Sequence, residues 1–209
     1  MLRSMRTIQV LAALVTVALQ GAEPGFTPIF NGKNLDGWEV DTPGLWQVRD
    51  GAIAGKHGGL KYNDFLRTRK RYENFILKLE FRLAGGVGNS GIQFRSKPVP
   101  NSHEVSGYQA DIGEKYWGAL YDESRRNKVL AAPEPALLAN LKKDAWNEYV
   151  IEARGRRIRL QVNGVQTVDY LETGATIDRA GFIALQVHSG PGIEVEFRNL
   201  RIRELPPGD

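Results

Sequence analysis

Strict alternation of apolar and polar positions dominates this chain and predicts β-strands. In Phe75-Ile76-Leu77-Lys78-Leu79-Glu80-Phe81-Arg82-Leu83 every odd position is apolar, while Lys78, Glu80 and Arg82 fall on the opposite face. A period of two marks a strand with one buried side. Tyr149 to Arg154 repeats the pattern, and Ile158, Leu160 and Val162 alternate with Arg159 and Gln161. Asn163-Gly164 comes next, a pair that accepts positive φ at both positions, so Val165 to Val168 is expected to return as a hairpin partner. Near the end Ile193, Val195 and Phe197 share a face from which Leu200 and Ile202 are out of phase. One extra residue around Arg198-Asn199, a β-bulge, restores the alternation. The one helical candidate is Pro135 to Lys143, short and set between strand regions. Short strands separated by frequent turn signals predict an all-β fold of two packed antiparallel sheets carrying one short helical insertion.

Composition narrows the class. With 42% hydrophobic and 25% charged residues in 209, the chain can bury a single core of ordinary soluble character. No cysteine is present, which excludes disulfides, thiolate metal sites and cysteine nucleophiles. Residues 1–22 read as a signal peptide: Arg3 and Arg6 precede an apolar run from Ile8 to Leu19, and small residues follow at Gly21 and Ala22. The other reading of this segment is an uncleaved anchor; with signal removal no membrane span is expected, and the protein is expected to be exported to the periplasm or beyond. The folded domain is then expected over residues 24–205. Setting Arg3 and Arg6 aside leaves 26 basic against 24 acidic residues, too even a balance for a nucleic-acid partner.

Several strands carry polar groups opposite their apolar faces. Gln93 and Arg95 oppose Ile92 and Phe94; Gln109 and Asp111 share a face; Ala184, Gln186 and His188 oppose Ile183, Leu185 and Val187. Short amides with a guanidinium, a carboxylate and an imidazole suit a floor that binds hydroxyls, where a plainly solvated face would favour Lys, Glu and Thr. The segment Tyr116 to Glu123 adds Trp117 and Tyr121, rings able to stack on sugar C–H faces, with Asp122 as an acceptor. Trp117 reads equally as core, and Trp38, Trp46 and Trp146 read as core. Among the histidines, His188 ends a strand just before Ser189-Gly190-Pro191-Gly192, His103 lies beside Glu104 in a proline-opened loop, and His57 reads as surface.

In this order the elements resemble the 3-keto-disaccharide hydrolase domain family, from about Gly25 to Glu204. The matching segments are Ile29 to Trp38, Trp46 to Gly51, Asn89-Ser90-Gly91-Ile92 with Phe94-Arg95, Gly107-Tyr108, Trp146-Asn147, Asn163-Gly164, Leu185 to His188 and Val195 to Leu200. One departure stands out: many members read Gly-Tyr-Glu-x-Gln where this chain has Gly107-Tyr108-Gln109-Ala110-Asp111, so the carboxylate sits two places along the same face. The resemblance implies a concanavalin-A-like jelly-roll sandwich and cleavage of glycosides already oxidised to a ketone at C3. A C3 ketone acidifies the C2 proton, so a general base can expel the C1 oxygen by β-elimination, and water can then add to the enone. On that basis His188 is the expected base, with Arg95 or a bound divalent cation at the enolate oxygen and Asp111 or Tyr121 moving protons. Gln93, Gln109, Gln186, Tyr108, Trp117, Asp122, Asn89 and His103 are expected to bind an oligosaccharide or glycoside.

Competing readings are few. Asp111, Glu114, Asp122 and His188 offer donors for a divalent cation, though no ligand spacing marks one. The paired carboxylates of laminarinase-type strands are missing, because Pro43 and Gly44 interrupt Glu39-Val40-Asp41. No Gly-x-Ser-x-Gly elbow occurs. A non-catalytic, lectin-like carbohydrate-binding module is the alternative from another class.

Overall fold

A computed structural model describes residues 23–207; the segment read as a signal peptide lies outside them. Among the described residues fifteen strands follow one another: β1 (Thr27–Pro28), β2 (Trp38–Glu39), β3 (Trp46–Arg49), β4 (Ala52–Leu60), β5 (Asp64–Thr68), β6 (Phe75–Leu83), β7 (Asn89–Pro98) and β8 (Val105–Gly113), then β9 (Leu120–Glu123), β10 (Lys128–Ala131), β11 (Asn147–Arg154), β12 (Arg157–Val162), β13 (Val165–Leu171), β14 (Phe182–Val187) and β15 (Gly190–Glu204). They form two antiparallel sheets. The first runs β13-β12-β11-β6-β15-β4-β3 with β1 on β15; the second runs β10-β9-β8-β7-β14-β5-β2. The chain passes between sheets at β1–β2–β3, β4–β5–β6–β7, β10–β11 and β13–β14–β15, which makes the architecture a jelly-roll sandwich.

The alternation in β6 appears as a perfect buried–half-buried pattern. Its inner residues Leu77, Leu79 and Phe81 meet Ile92, Phe94 and Ile112 of the opposite sheet in one continuous core. Asn163 and Gly164 both take positive φ, 49° and 80°, and join β12 to β13. The β15 register shifts between Arg198 and Arg201, with Asn199 at φ 54°, so the bulge needed by the alternation is present. The helical candidate is smaller than the pattern suggested, a single 3-10 turn at Pro135–Leu138. Trp38 and Trp46 are buried, their indole N–H groups donating to the Ile29 carbonyl at 2.9 Å and to Asp64 Oδ1 at 2.6 Å. Trp146 departs from the core assignment: half-buried, it lies between the guanidinium groups of Arg82 and Arg198, at 5.5 and 4.0 Å from its ring centre.

The two sheets differ in their outer faces. Outer residues of the first sheet are charged and ion-paired, as in half-exposed Arg198 with Glu80 and half-exposed Arg82 with buried Glu196. In the second sheet β7, β8 and β14 are buried on both sides for most of their length. A second apolar cluster, Phe65, Val105, Phe182 and Ala184, covers one end of that outer face. Beside it the covered residues are polar, and that sheltered polar stretch is the candidate site.

Candidate active site

Pairing across the second sheet sets the floor. Gln109 of β8 lies opposite Gln93 of β7 and Tyr121 of β9; Asp111 lies opposite Gly91, which in turn faces Gln186 of β14. A hollow of about 170 Å³ opens over this floor, lined by Gln109, Asp111, Tyr116, Tyr121, Glu123, Asn63, Asn89 and His188. Glycine at 91 is required here, since a Cβ would stand 2.6 Å from Gln109 Cδ.

The floor is hydrogen-bonded in sequence. Ser96 Oγ donates to Gln93 Oε1 at 3.0 Å, Gln93 Nε2 to Gln109 Oε1 at 2.7 Å, and Gln109 Nε2 to Asp111 Oδ1 at 2.6 Å. Burial pushes the Asp111 carboxyl up to about 8, with the bond from Gln109 opposing and the nearby Glu123 charge adding to the rise. Glu123 is itself raised to about 7, by burial first and then by the charge of Glu104. Burial and Glu123 also raise the Tyr121 hydroxyl, so it stays a proton donor. Gln186 is fully buried, and both its amide atoms, like Asn89 Oδ1, lack a partner among the described residues.

The rim is tied together by side chains that bond to backbone and to one another. The Ser189 N–H donates to Asn63 Oδ1 at 2.8 Å, and Asn63 Nδ2 donates to both Glu104 carboxylate oxygens at 3.2 Å. His188 Nδ1 lies 2.7 Å from the Ser189 carbonyl. A carbonyl only accepts, so the hydrogen belongs on Nδ1 and Nε2 keeps the basic lone pair. His57, read from sequence as surface, is half-buried, and its Nε2 donates to the His188 carbonyl at 3.0 Å.

Of the residues expected from sequence, His188, Asp111, Tyr121, Gln109 and Asn89 line the hollow, with Gln93 and Gln186 on the floor around them. Arg95 is elsewhere. Its guanidinium donates to the Glu73 carbonyl at 2.7 Å, the Gly155 carbonyl at 2.8 Å and Asn74 Oδ1 at 3.3 Å, stapling turns at the edge of the sandwich. Tyr108 and Asp122 face the core side. The Tyr108 hydroxyl donates to Glu172 Oε2 at 2.6 Å, and fully buried Asp122 is held by Arg125 and Arg126. Trp117 is core, tilted against Phe81. His103 is exposed and stacks on Tyr62, 4.6 Å between ring centres, on the loop whose Glu104 holds Asn63. The four donors considered for a divalent cation do not converge: Glu114 is exposed in a turn, Asp122 is on the other face, and among the described residues no three acidic or histidine groups form a metal site.

Asn63 was not expected, and Tyr116 and Glu123, though inside the segment expected around the floor, were not singled out as site residues. Glu123 follows from strand parity, because it shares the face of Tyr121 two residues earlier. Asn63 sits in the short β4–β5 connection and has no periodic signal.

A jelly-roll sandwich of two antiparallel sheets is also the fold of galectin-like proteins and glucanases. This chain belongs to the 3-keto-alpha-glucoside-1,2-lyase-like domain family, whose model matches residues 25–203. That membership gives it a carbohydrate-related function. Among solved structures it is similar to a candidate glycosyl hydrolase from Parabacteroides distasonis ATCC 8503, at TM-score 0.68 and 21% identity, covering 87% of this chain and 94% of that one. The carbohydrate binding module CBM66 from Bacillus subtilis matches at TM-score 0.62 and 16% identity over 82% and 98% of the two chains. A Bacillus licheniformis beta-glucanase matches at 0.55 and 12%, over 87% and 97%. These identities establish likeness of fold. Among curated protein sequences nothing matches.

Proposed function

We propose that the protein is an enzyme that cleaves 3-keto-glycosides by β-elimination followed by hydration. The observation that carries this reading is the meeting, in one hollow, of a histidine whose Nε2 is left basic with two carboxyl groups, Asp111 and Glu123, that keep their protons near neutrality. His188 Nε2 takes the C2 proton, and the electron pair shifts to expel the C1 oxygen. Asp111 or Glu123 gives that departing oxygen its proton. Tyr121 and Tyr116 are the hydroxyl donors available to the enolate oxygen, the place that sequence reasoning gave to Arg95. In the return half, water adds to C1, its proton passes to the carboxylate, and the imidazolium restores hydrogen to C2, so each group ends as it began.

Asp111 and Glu123 also invite comparison with direct hydrolysis by two carboxyls. That chemistry needs one of the pair ionised as nucleophile or base while the other stays protonated. Here burial raises both, to about 8 and about 7, and the histidine beside them supplies the separate base that elimination needs.

The test is incubation of the protein with a 3-keto-glucoside, following enone and released 3-keto sugar, alongside unoxidised glycans. Turnover of the keto substrate is the expected result. Binding of unoxidised glycans with no turnover of either would overturn the reading in favour of a lectin-like module. We also place the protein outside the cytoplasm, on the strength of residues 1–22; recovery in the cytosolic fraction would reject that. Among the described residues no helix is long and apolar enough to cross a membrane.

A further inference from the structure

We propose that Ser96, Gln93 and Gln109 form a reversible hydrogen-bond relay that positions Asp111 in both of its protonation states, so that one carboxyl serves first as proton donor and then as acceptor. The inference deepens the eliminase reading, but its basis is geometric. Ser96 Oγ lies 3.0 Å from Gln93 Oε1 and also 3.0 Å from the Phe94 carbonyl, and its one hydrogen can serve only one of them. Directed at Gln93, the hydroxyl sends donors outward: Gln93 Nε2 to Gln109 Oε1, then Gln109 Nε2 to an ionised Asp111. Directed at the Phe94 carbonyl, it frees its own oxygen to accept. Both amides can then turn over, and Gln109 presents its oxygen to the O–H of a protonated Asp111. The same heavy-atom positions satisfy either direction, because an amide offers a donor and an acceptor of nearly equal shape. A backbone N–H or a lysine in place of Ser96 would lock one direction.

The surroundings are built to hold this chain. Gln93, Gln109 and Ser96 are 0%, 3% and 1% exposed, so water does not substitute for a missing partner. Two glycines make room: a Cβ at 91 would meet Gln109 at 2.6 Å, and one at 107 would meet Ser96 Oγ at 2.1 Å. The titratable groups facing Asp111 around the hollow are Tyr121 and Glu123 of β9, Tyr116 of the β8–β9 turn and His188 after β14, while β7 contributes Asn89 and Gly91. None of these lies within the chain of amides.

The test is NMR on the whole protein without substrate, following the Asp111 carboxyl carbon and the side-chain amide groups of Gln93 and Gln109 from about pH 5 to about pH 10. The expected result is one shared midpoint for all three, near the value of about 8 that burial gives Asp111. In D111N both amide shifts should vanish. In Ser96→Ala the far end of Gln93 loses its hydroxyl partner, so the shared midpoint should move, and Ser96→Thr should restore it. Gln93 and Gln109 signals that stay still while Asp111 titrates, amide shifts that persist in D111N, or an Asp111 carboxyl that does not change state in this range would each overturn the relay. No turnover enters this experiment, so failure of the enzymatic reading and failure of the relay are separate results.

Discussion

Burial raises the Asp111 carboxyl from its ordinary 3.8 to about 8, which makes the hollow a burden on folding. In the unfolded chain Asp111 ionises near its ordinary value, whereas the folded protein keeps the proton until about pH 8. Between those limits the native state binds one more proton than the unfolded state, so stability falls as pH rises, by about 1.4 kcal/mol per pH unit. Below about pH 4 both states are protonated and the penalty is absent; above about pH 8 both are ionised and it is constant. Asp111→Asn keeps the shape and still accepts the bond from Gln109, but never ionises. Its stability should therefore exceed that of the wild type by a margin that grows with pH to about 4 kcal/mol at pH 7. For a domain of this length the margin corresponds to roughly 8–16 °C in Tm. Glu123 titrates in both proteins, so its burial is common to the two, and the difference carries Asp111 together with its repulsion from Glu123. Urea or thermal denaturation of the two proteins across about pH 4 to 8 makes the measurement. The curves should converge at the acid end and separate above it. A gap that does not change with pH, or an asparagine variant less stable than wild type at neutral pH, would refute the electrostatic account. A gain in stability coupled to lost turnover is the usual sign of a site kept at the expense of folding.

Other changes test other parts of the molecule. His188→Ala should lower kcat/KM on a 3-keto-glucoside by about 10²- to 10⁴-fold, the usual worth of a general base, with the melting temperature nearly unchanged. Full activity would remove His188 from the mechanism. Arg126→Leu strips a partner from both buried carboxylates, Asp122 and Glu172, and should destabilise the fold by about 3 kcal/mol at neutral pH. Burial opposes ionisation of Glu172, but the bonds from Arg126 and Tyr108 prevail and hold it at about 2. A carboxyl lowered in this way stabilises the fold above its ordinary value and loses that contribution as pH falls, so denaturation curves of wild type and Arg126→Leu should draw together towards about pH 2. Gly91→Ala places a methyl 2.6 Å from the Gln109 side chain and should push that amide away from Asp111. A fall in kcat of about tenfold or more is expected, with a stability cost of about 1–3 kcal/mol; unchanged kinetics would mean that Gln109 does not position Asp111.

The fold was largely legible because its strands carry clean alternation with explicit turn chemistry. The Asn163-Gly164 hairpin and the bulge at Arg198–Asn199 both follow from a count of residues, since a half-buried strand leaves no freedom in phase. The same counting placed Gln93, Gln109, Asp111 and Gln186 on one face. It also forbids Tyr121 and Asp122 from sharing a face, a constraint visible only once Leu120–Glu123 is known to be a strand and not a loop of aromatic and acidic residues. Trp146 was misread for a related reason: a large ring beside a strand can be sheltered by two arginines on an outer face as well as by a core.

Arg95 is the instructive miss. Alternation from Gln93 puts Arg95 over the hollow, but the β7 register shifts after Phe94, and Arg95 takes φ 49°, left-handed for a residue other than glycine. The extra residue turns its guanidinium away to Glu73 and Gly155 and brings Ser96 round to Gln93. Nothing within β7 announces the bulge. The signal lies across the sheet at Gly181, where a Cβ would stand 2.3 Å from the Ser96 nitrogen and 2.4 Å from the Arg95 carbonyl carbon. A close backbone approach of this kind needs glycine on the partner, and a single sequence does not say which strand that partner will be. The displacement that removes a fixed positive charge from the hollow is the same one that supplies its hydroxyl-ended amide chain. With no guanidinium over the floor, burial acts on Asp111 without a cation to oppose it, and the carboxyl can hold its proton near neutrality. Shifting β7 back by one residue would return Arg95 to the floor, lower the Asp111 carboxyl and detach Ser96 from Gln93 in one step, so the proton chemistry of the hollow depends on that bulge.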